Sequence, residues 1–218
     1  MKIYGFTNES IVDGPGIRIV VFAQGCDNAC PHCHNPESWD IGGGEEYTPR
    51  EIIKKIKVAM GSAQTGALPF ASSRPSLKPS SKAALSESST TSSKLALSES
   101  STPPKPRKKA PSRKVRGVTF SGGEPFLQAS DFVHVAKAVR RLGLDIATYT
   151  GNTYEVLSQS TDESVQELLG LTDYLIEGPY IHEKRDIGLK FRGSTNQRII
   201  DMNETRRAGE IVLYDEKS

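Results

Sequence analysis

The sequence predicts an α/β domain built on a mostly parallel sheet and interrupted once by a long insert. Two observations predict the sheet. Short β-branched runs recur along the chain, and amphipathic helical stretches separate them, an alternation that implies parallel pairing through right-handed crossovers. A third observation predicts the interruption. Residues 61–114 hold ten Lys or Arg against two Glu, a net charge of +8 that leaves −6 on the remainder of a chain totalling +2.

The elements follow in order. "IRIVVFAQG" (Ile17–Gly25) reads as the first main strand. A helix begins at Thr48, with Pro49 in its first turn and Glu51 completing a Thr-x-x-Glu capping box. Ile52, Ile53 and Ile56 then form one apolar face. After the insert, "VRGVTFSGGEP" is a strand running into a glycine loop. The next helix has Ser130 as N-cap, apolar residues at 132, 133, 135, 136, 139 and 142, and Gly143 as its stop. "DIATYT" is a third strand. A helical region from Tyr154 to Leu171 is broken near 159–162, and "YLIEG" (Tyr174–Gly178) is a fourth strand. "NQRIID" and "IVLY" read as further strands without an assigned place in the sheet.

The insert is rich in Ser, Pro and Lys, poor in aromatics, and too polar to offset its ordering entropy, so disorder is expected there. "ALSESST" occurs at 84–90 and again at 96–102, as in a duplicated linker. The basic cluster Lys105–Lys114 reads as a solvated tether, with a localisation signal or a weak nucleic-acid patch as alternatives. Residues 1–60 and 115–218 then form one compact domain of about 164 residues. "MKIYGFTNES" lacks the apolar core of a signal peptide, and no run approaches the roughly 20 apolar residues of a membrane span. A cytoplasmic location without membrane attachment is expected.

In a parallel sheet the loops after successive strands share the carboxyl edge, where such folds place their sites. The cysteine run, "SGGEP", "YTGN" and "EGP" should therefore converge, bringing Asn152 and Glu177 near the cysteines by topology alone. All three cysteines, Cys26, Cys30 and Cys33, lie in one loop at C-x3-C-x2-C spacing. Their odd number and tight spacing argue against a disulfide framework and for soft-metal ligation in a reducing compartment. Structural zinc would need a fourth ligand, which His32 or His34 could supply. A cubane iron–sulfur cluster held by three cysteines would instead leave one iron open to a substrate or cofactor. No His/Asp or paired-carboxylate constellation stands out for acid–base catalysis. "DGPG" (Asp13–Gly16) reads as a turn or as a partner contact, Trp39 as a packing residue beside the cysteine loop rather than a recognition residue, and Arg192 and Arg198 as solvated or facing an acidic partner surface or phosphate.

"CDNACPHC" after one strand and "SGGEP" after the next resemble the radical S-adenosylmethionine superfamily. More narrowly, "IVDGPGIRIVVFAQGCDNACPHCHNPESWDIGGG" resembles the glycyl-radical activating enzymes, and "FRGSTNQRII" is similar to the tail of those that serve anaerobic ribonucleotide reductase. The resemblance covers about residues 1–60 and 115–201. It implies a partial (β/α) barrel of the radical S-adenosylmethionine type. It also implies that Cys26, Cys30 and Cys33 ligate a 4Fe-4S cluster whose fourth iron is chelated by S-adenosylmethionine.

By the same resemblance, Gly122, Gly123 and Glu124 lie at the methionine moiety, where missing side chains let backbone approach the ligand. His32 and His34 match positions lining the adenosyl side, although the family more often carries an aromatic ring at the place of His32. The implied reaction is reductive cleavage of S-adenosylmethionine to a 5′-deoxyadenosyl radical, which takes a hydrogen atom from a glycine of the large subunit of anaerobic ribonucleoside-triphosphate reductase. A flavodoxin or ferredoxin supplies the electron. Activation of another glycyl-radical enzyme, such as pyruvate formate-lyase, is the alternative. A zinc-stabilised nucleic-acid-binding module is the reading from a different class, and nucleic acid is not an expected partner of the enzyme.

Overall fold

The computed structural model describes residues 1–65 and 114–215, with side chains as far as Gly61 and again from Lys114. The disorder expected for 61–114 falls almost wholly outside the described residues. In chain order the elements are β1 (Lys2–Ser10), β2 (Arg18–Ala23), β3 (Glu45–Glu46), α1 (Pro49–Thr65), β4 (Gly117–Gly122), α2 (Ala129–Arg141), β5 (Asp145–Tyr149), α3 (Tyr154–Ser158), α4 (Glu163–Leu171), β6 (Tyr174–Glu177), β7 (Arg198–Asp201) and α5 (Met202–Ala208).

Among the described residues the seven strands form one open sheet in the order β3-β1-β2-β4-β5-β6-β7. The four central strands, β2, β4, β5 and β6, are parallel, with Val20 opposite Thr119, Thr119 opposite Ala147, and Thr148 opposite Leu175. The alternation of strand and helix therefore yields the parallel centre it predicts. Antiparallel strands flank that centre: β1 on β2, β3 on β1, and β7 on β6. The two ends of the sheet do not join, so it is not a closed barrel.

The capping chemistry of α1 is as expected. The Thr48 amide donates to Glu51 Oε2 at 2.8 Å, and the Glu51 amide donates to Thr48 Oγ1 at 3.3 Å. Ile52, Ile56 and Ala59 are buried at helical spacing. The helix runs on through Gly61 to Thr65, past the boundary set at residue 61. A single interior glycine costs only about 1 kcal/mol relative to alanine and, with no proline following, does not stop a helix.

The start of α2 differs from expectation. A 3₁₀ turn at Pro125–Gln128 precedes it, and the capping acceptor is Glu124, which receives the Phe126 amide at 3.1 Å, while Ser130 lies inside the helix. Pro125, with its φ already fixed, opens the helical path early. Gly143 does end α2, at φ +73°. The break between α3 and α4 is marked by Asp162, whose carboxylate accepts the Ser164 amide at 2.7 Å. At the C-terminus "IVLY" gives only a bridge between Leu213 and Ile200, beside α5.

The helices pack on one face of the sheet, burying Ile19, Val21, Phe120, Ile146, Leu175 and Ile200 against Ile52, Ile56, Phe132 and Leu168. Each large side chain buried there contributes about 1.5–3 kcal/mol. On the opposite face Ala147, Ile176 and Ile199 gather with Tyr149, Tyr174, Phe191 and Tyr214. The "DGPG" segment folds over the amino ends of the strands on that face. Thr119 Oγ1 donates to the Asp13 carbonyl at 2.7 Å, and a Cβ on Gly14 would lie 2.9 Å from Arg18 Cδ and 3.4 Å from Ala147 Cβ.

Arg18 itself is fully buried. It donates to Asp145 Oδ1 at 2.6 Å, Thr119 Oγ1 at 2.7 Å, and the carbonyls of Val118 and Pro15 at 2.8 and 3.0 Å. A buried charge survives only when paired and hydrogen-bonded, and Arg18 is both.

Candidate functional site

The loops after β2, β4, β5 and β6 meet at the carboxyl edge, as topology requires, and hydrogen bonds join each to the next. Gly123 N donates to the Ala23 carbonyl and Glu124 N to the Gly25 carbonyl, both at 2.8 Å, tying the β4 loop to the β2 loop. Thr150 Oγ1 and Gly151 N each donate to Glu124 Oε2 at 2.9 Å, tying the β5 loop to the β4 loop. Gly178 N donates to the Asn152 carbonyl at 3.2 Å, adding the β6 loop.

The cysteine loop is closed at its base by Gly25 N to the Ser38 carbonyl at 2.7 Å and Cys26 N to the Trp39 carbonyl at 3.2 Å. Between those clamps the backbone turns left-handed immediately before every cysteine: Gly25 at φ +95° before Cys26, Ala29 at +42° before Cys30, and His32 at +58° before Cys33. Ala29 and His32 are two of only three non-glycine residues with positive φ among the described residues, and such conformations persist where surrounding contacts hold them.

All three cysteines are free, half-buried thiols. Asn28 Nδ2 lies 3.7 Å from Cys26 Sγ, and the Asn35 amide donates to Cys33 Sγ at 3.4 Å. Burial pushes the Cys26 thiol above its ordinary value, with the Asn28 donors pulling it back. Soft sulfur donors in one loop, two of them approached by N–H groups that favour the thiolate, fit a 4Fe-4S cluster. Among the described residues no three His, Cys, Asp or Glu side chains are gathered tightly enough to hold a single metal ion.

The glycines of "SGGEP" have a local structural reason. A Cβ on Gly122 would lie 2.6 Å from the Ala23 carbonyl oxygen, and one on Gly123 would lie 2.2 Å from that of Gly25. Their missing side chains let backbone approach backbone, bringing the β4 loop against the root of the cysteine loop. Glu124 is 1 % exposed and takes five donors: Phe126 N on Oε1, and Thr150, Gly151, Asn28 and Asn152 on Oε2. Its burial pushes the carboxyl up to about 7 against the opposing pull of the donors from Gly151, Phe126 and Thr150.

Both histidines beside Cys33 are exposed and face the segment between β6 and β7. The His32 ring lies 4.2 Å from that of His182, and the His34 ring 5.0 Å from that of Tyr180. Tyr180 Oη and His182 Nδ1 are 3.2 Å apart. Gly193, within "RGSTNQ", makes room for this group, since a Cβ there would lie 3.1 Å from the Tyr180 ring and 3.2 Å from His34 Cε1. Deeper in the same segment Tyr149 Oη donates to the carbonyl of Phe191, itself at φ +61°, at 2.6 Å.

Tyr180, His182, Asn28 and Tyr149 were not singled out from the sequence. The one signal for Tyr180 and His182 is their separation by two in an extended stretch, which puts both rings on one side. Arg198 is not free for a partner, because it pairs within the chain with Glu177 and, at 2.8 Å, with Glu155. Trp39 is half-buried against the cysteine loop, with its Nε1 buried.

The comparisons with known proteins accord with this geometry. Residues 12–77 and 84–200 match the model of the family described as the 4Fe-4S single cluster domain. The chain belongs to that family. It is 27% identical over 204 residues to the anaerobic ribonucleoside-triphosphate reductase-activating protein of Vibrio cholerae, covering 91% of this chain and 97% of that one. It is 30% identical over 165 residues to the pyruvate formate-lyase-activating enzyme of Clostridium pasteurianum, covering 74% of this chain and 49% of that one. Against the pyruvate formate-lyase 1-activating enzyme of Escherichia coli K12 it is 44% identical over 55 residues, or 25% of this chain and 22% of that one. The chain thus spans about half of the clostridial relative and nearly all of the Vibrio relative. The resemblance to the glycyl-radical activating enzymes and the expected 4Fe-4S cluster are borne out.

Proposed function

We propose that this chain activates an anaerobic ribonucleoside-triphosphate reductase by generating a glycyl radical on its large subunit. The observation that carries the reading is the nearly end-to-end match to the Vibrio activating protein, joined to a three-cysteine loop set at the carboxyl edge of a parallel sheet. In this reading Cys26, Cys30 and Cys33 hold the cluster and leave one iron for the amino and carboxylate groups of S-adenosylmethionine. When bound and reduced by an external donor, the cluster would supply the chemistry for reductive cleavage of S-adenosylmethionine to methionine and a 5′-deoxyadenosyl radical able to take a hydrogen atom from the partner's glycine.

The protein's own part is to hold and enclose. The clamped loop fixes the thiolates, Gly122 and Gly123 let the β4 loop close on that loop, and Glu124 locks the β5 loop to both. In this reading His32 and His34, whose rings lie against His182 and Tyr180, would line the adenosyl side. The open sheet serves as the partial barrel of the radical S-adenosylmethionine fold, with residues 1–60 and 115–218 as the activase domain and the basic insert as an appendage. Among the described residues no helix is long and apolar enough to cross a membrane; the cytoplasmic location and the flavodoxin- or ferredoxin-type donor we propose rest on the resemblance.

The test is anaerobic. Protein reconstituted with iron and sulfide, given reductant, S-adenosylmethionine and the reductase, should yield 5′-deoxyadenosine and a glycyl radical signal on the large subunit; failure of both with a fully loaded cluster would overturn the reading. The local 44% identity to a pyruvate formate-lyase activating enzyme favours a second target, and exchanging the partner in the same assay decides between them. One zinc and no sulfide in the purified protein would instead support the zinc module.

A further inference from the structure

The structure assigns Asn28 the role of tuning the electron affinity of a cluster held by the cysteine loop, through an N–H···S bond to Cys26. The inference rests on the proposal that Cys26, Cys30 and Cys33 hold a 4Fe-4S cluster. Asn28 Nδ2 lies 3.7 Å from Cys26 Sγ and 3.3 Å from Glu124 Oε2. A side-chain amide has two N–H donors, one for each acceptor. Both neighbours are acceptors, so the amide nitrogen rather than its oxygen must face them.

The amide is also held in place. Glu124 Oε2 is anchored by Thr150 and Gly151 of the β5 loop, so the carboxylate that orients Asn28 cannot swing away. Gly151 fits the amide closely: a Cβ there would lie 2.6 Å from Asn28 Nδ2 and 2.7 Å from its Cγ. A donor fixed by three loops pays no reorganisation when charge arrives. Adding one electron to a cluster makes its sulfurs more negative, and an N–H dipole aimed at one of them stabilises the reduced form more than the oxidised form. The remaining N–H···S contacts, from the backbone amides of Asn28 and Ala29 to Cys26 and of Asn35 to Cys33, survive side-chain substitution. Asn28 is therefore the donor that a substitution can remove.

The experiment is a redox titration, with dithionite supplying one electron per cluster, of the reconstituted full chain followed by electron paramagnetic resonance. Wild type, Asn28→Leu and Asn28→Asp are compared, with iron and sulfide measured on each. Removing the donor should lower the reduced-to-oxidised ratio at a given potential by about three- to tenfold, a fall in midpoint of about 30–60 mV. Asn28→Asp should lower it further, because a carboxylate replaces the donor.

A fully loaded Asn28→Leu protein with an unchanged midpoint would overturn the inference and leave the cluster reading standing. A wild-type protein that takes up no cluster would sink that reading itself. If neither variant retains its cluster, wild type carrying asparagine labelled with ¹⁵N at the side-chain amide alone decides: a labelled nitrogen coupled to the reduced cluster supports the inference, and its absence overturns it.

Discussion

Replacing Glu124 by glutamine tests whether the carboxylate at the junction of the loops is destabilised by its burial. In the folded chain the carboxyl is pushed up to about 7, against an ordinary value near 4.5. A raised folded value means that the favourable state is protonated. Relative stability is therefore fully present below about pH 4.5 and is lost as pH rises through 7. At about 1.4 kcal/mol per pH unit, wild type should lose about 2–3 kcal/mol between pH 5 and pH 8 from this group alone.

Glutamine keeps the shape and does not titrate. Its oxygen can face the four donors now on Oε2, leaving its nitrogen opposite the Phe126 amide. That donor–donor contact costs about 1–3 kcal/mol at any pH. The variant should thus be clearly less stable than wild type at pH 5 and close to it at pH 8. The assay is anaerobic urea unfolding of both cluster-free proteins at the two pH values, in which all other titrations cancel. A difference between the proteins that stays flat with pH would refute the reasoning, and would mean that the five donors hold Glu124 ionised throughout.

Three further outcomes follow from the geometry. Asp145→Ala removes the counter-ion of the fully buried Arg18 and should cost about 3–5 kcal/mol in urea unfolding, whereas Arg116→Ala, which removes a half-exposed partner of the same carboxylate, should cost under about 1 kcal/mol. Gly123→Ala would drive a methyl to 2.2 Å from the Gly25 carbonyl oxygen and should destabilise by about 2–4 kcal/mol while lowering cluster uptake, read as iron per chain after reconstitution. Cys30→Ser should retain the fold by circular dichroism but lose most of its iron and sulfide; full retention would remove Cys30 from the ligand set.

The parallel centre was legible because its strands are short β-branched runs and its helices keep apolar residues at helical spacing: Ile19 and Val21 bury on the helix side, and Ile52 and Ile56 meet them. β1 was not legible because Ile3 alone of its nine residues is buried, so the alternation that marks a strand is missing. Topology foretold that the cysteines, "SGGEP", "YTGN" and "EGP" would converge. It could not foretell that Glu124 would be the tie among them, because its partners lie 26–28 residues ahead in the β5 loop and 96 residues behind at Asn28. Nor could spacing show that Gly122 and Gly123 serve a backbone-to-backbone approach, or that Tyr180 and His182 return to the cysteine loop from a segment about 150 residues away.

The chain re-enters the sheet at the pole opposite the cysteines. α1 leaves at Thr65, and the chain returns at Lys114 to enter β4 from its amino end, the end where Arg18, Arg116 and Asp145 sit. Every loop that builds the site belongs to the other edge. Loop-closure cost rises only with the logarithm of length, so lengthening a connection from about 5 to about 50 residues would cost only about 2 kcal/mol. That junction is thus a port where cargo can be spliced into the chain, such as a fluorescent reporter, an affinity handle or a tether to the reductase, with the chemistry at the far rim left undisturbed.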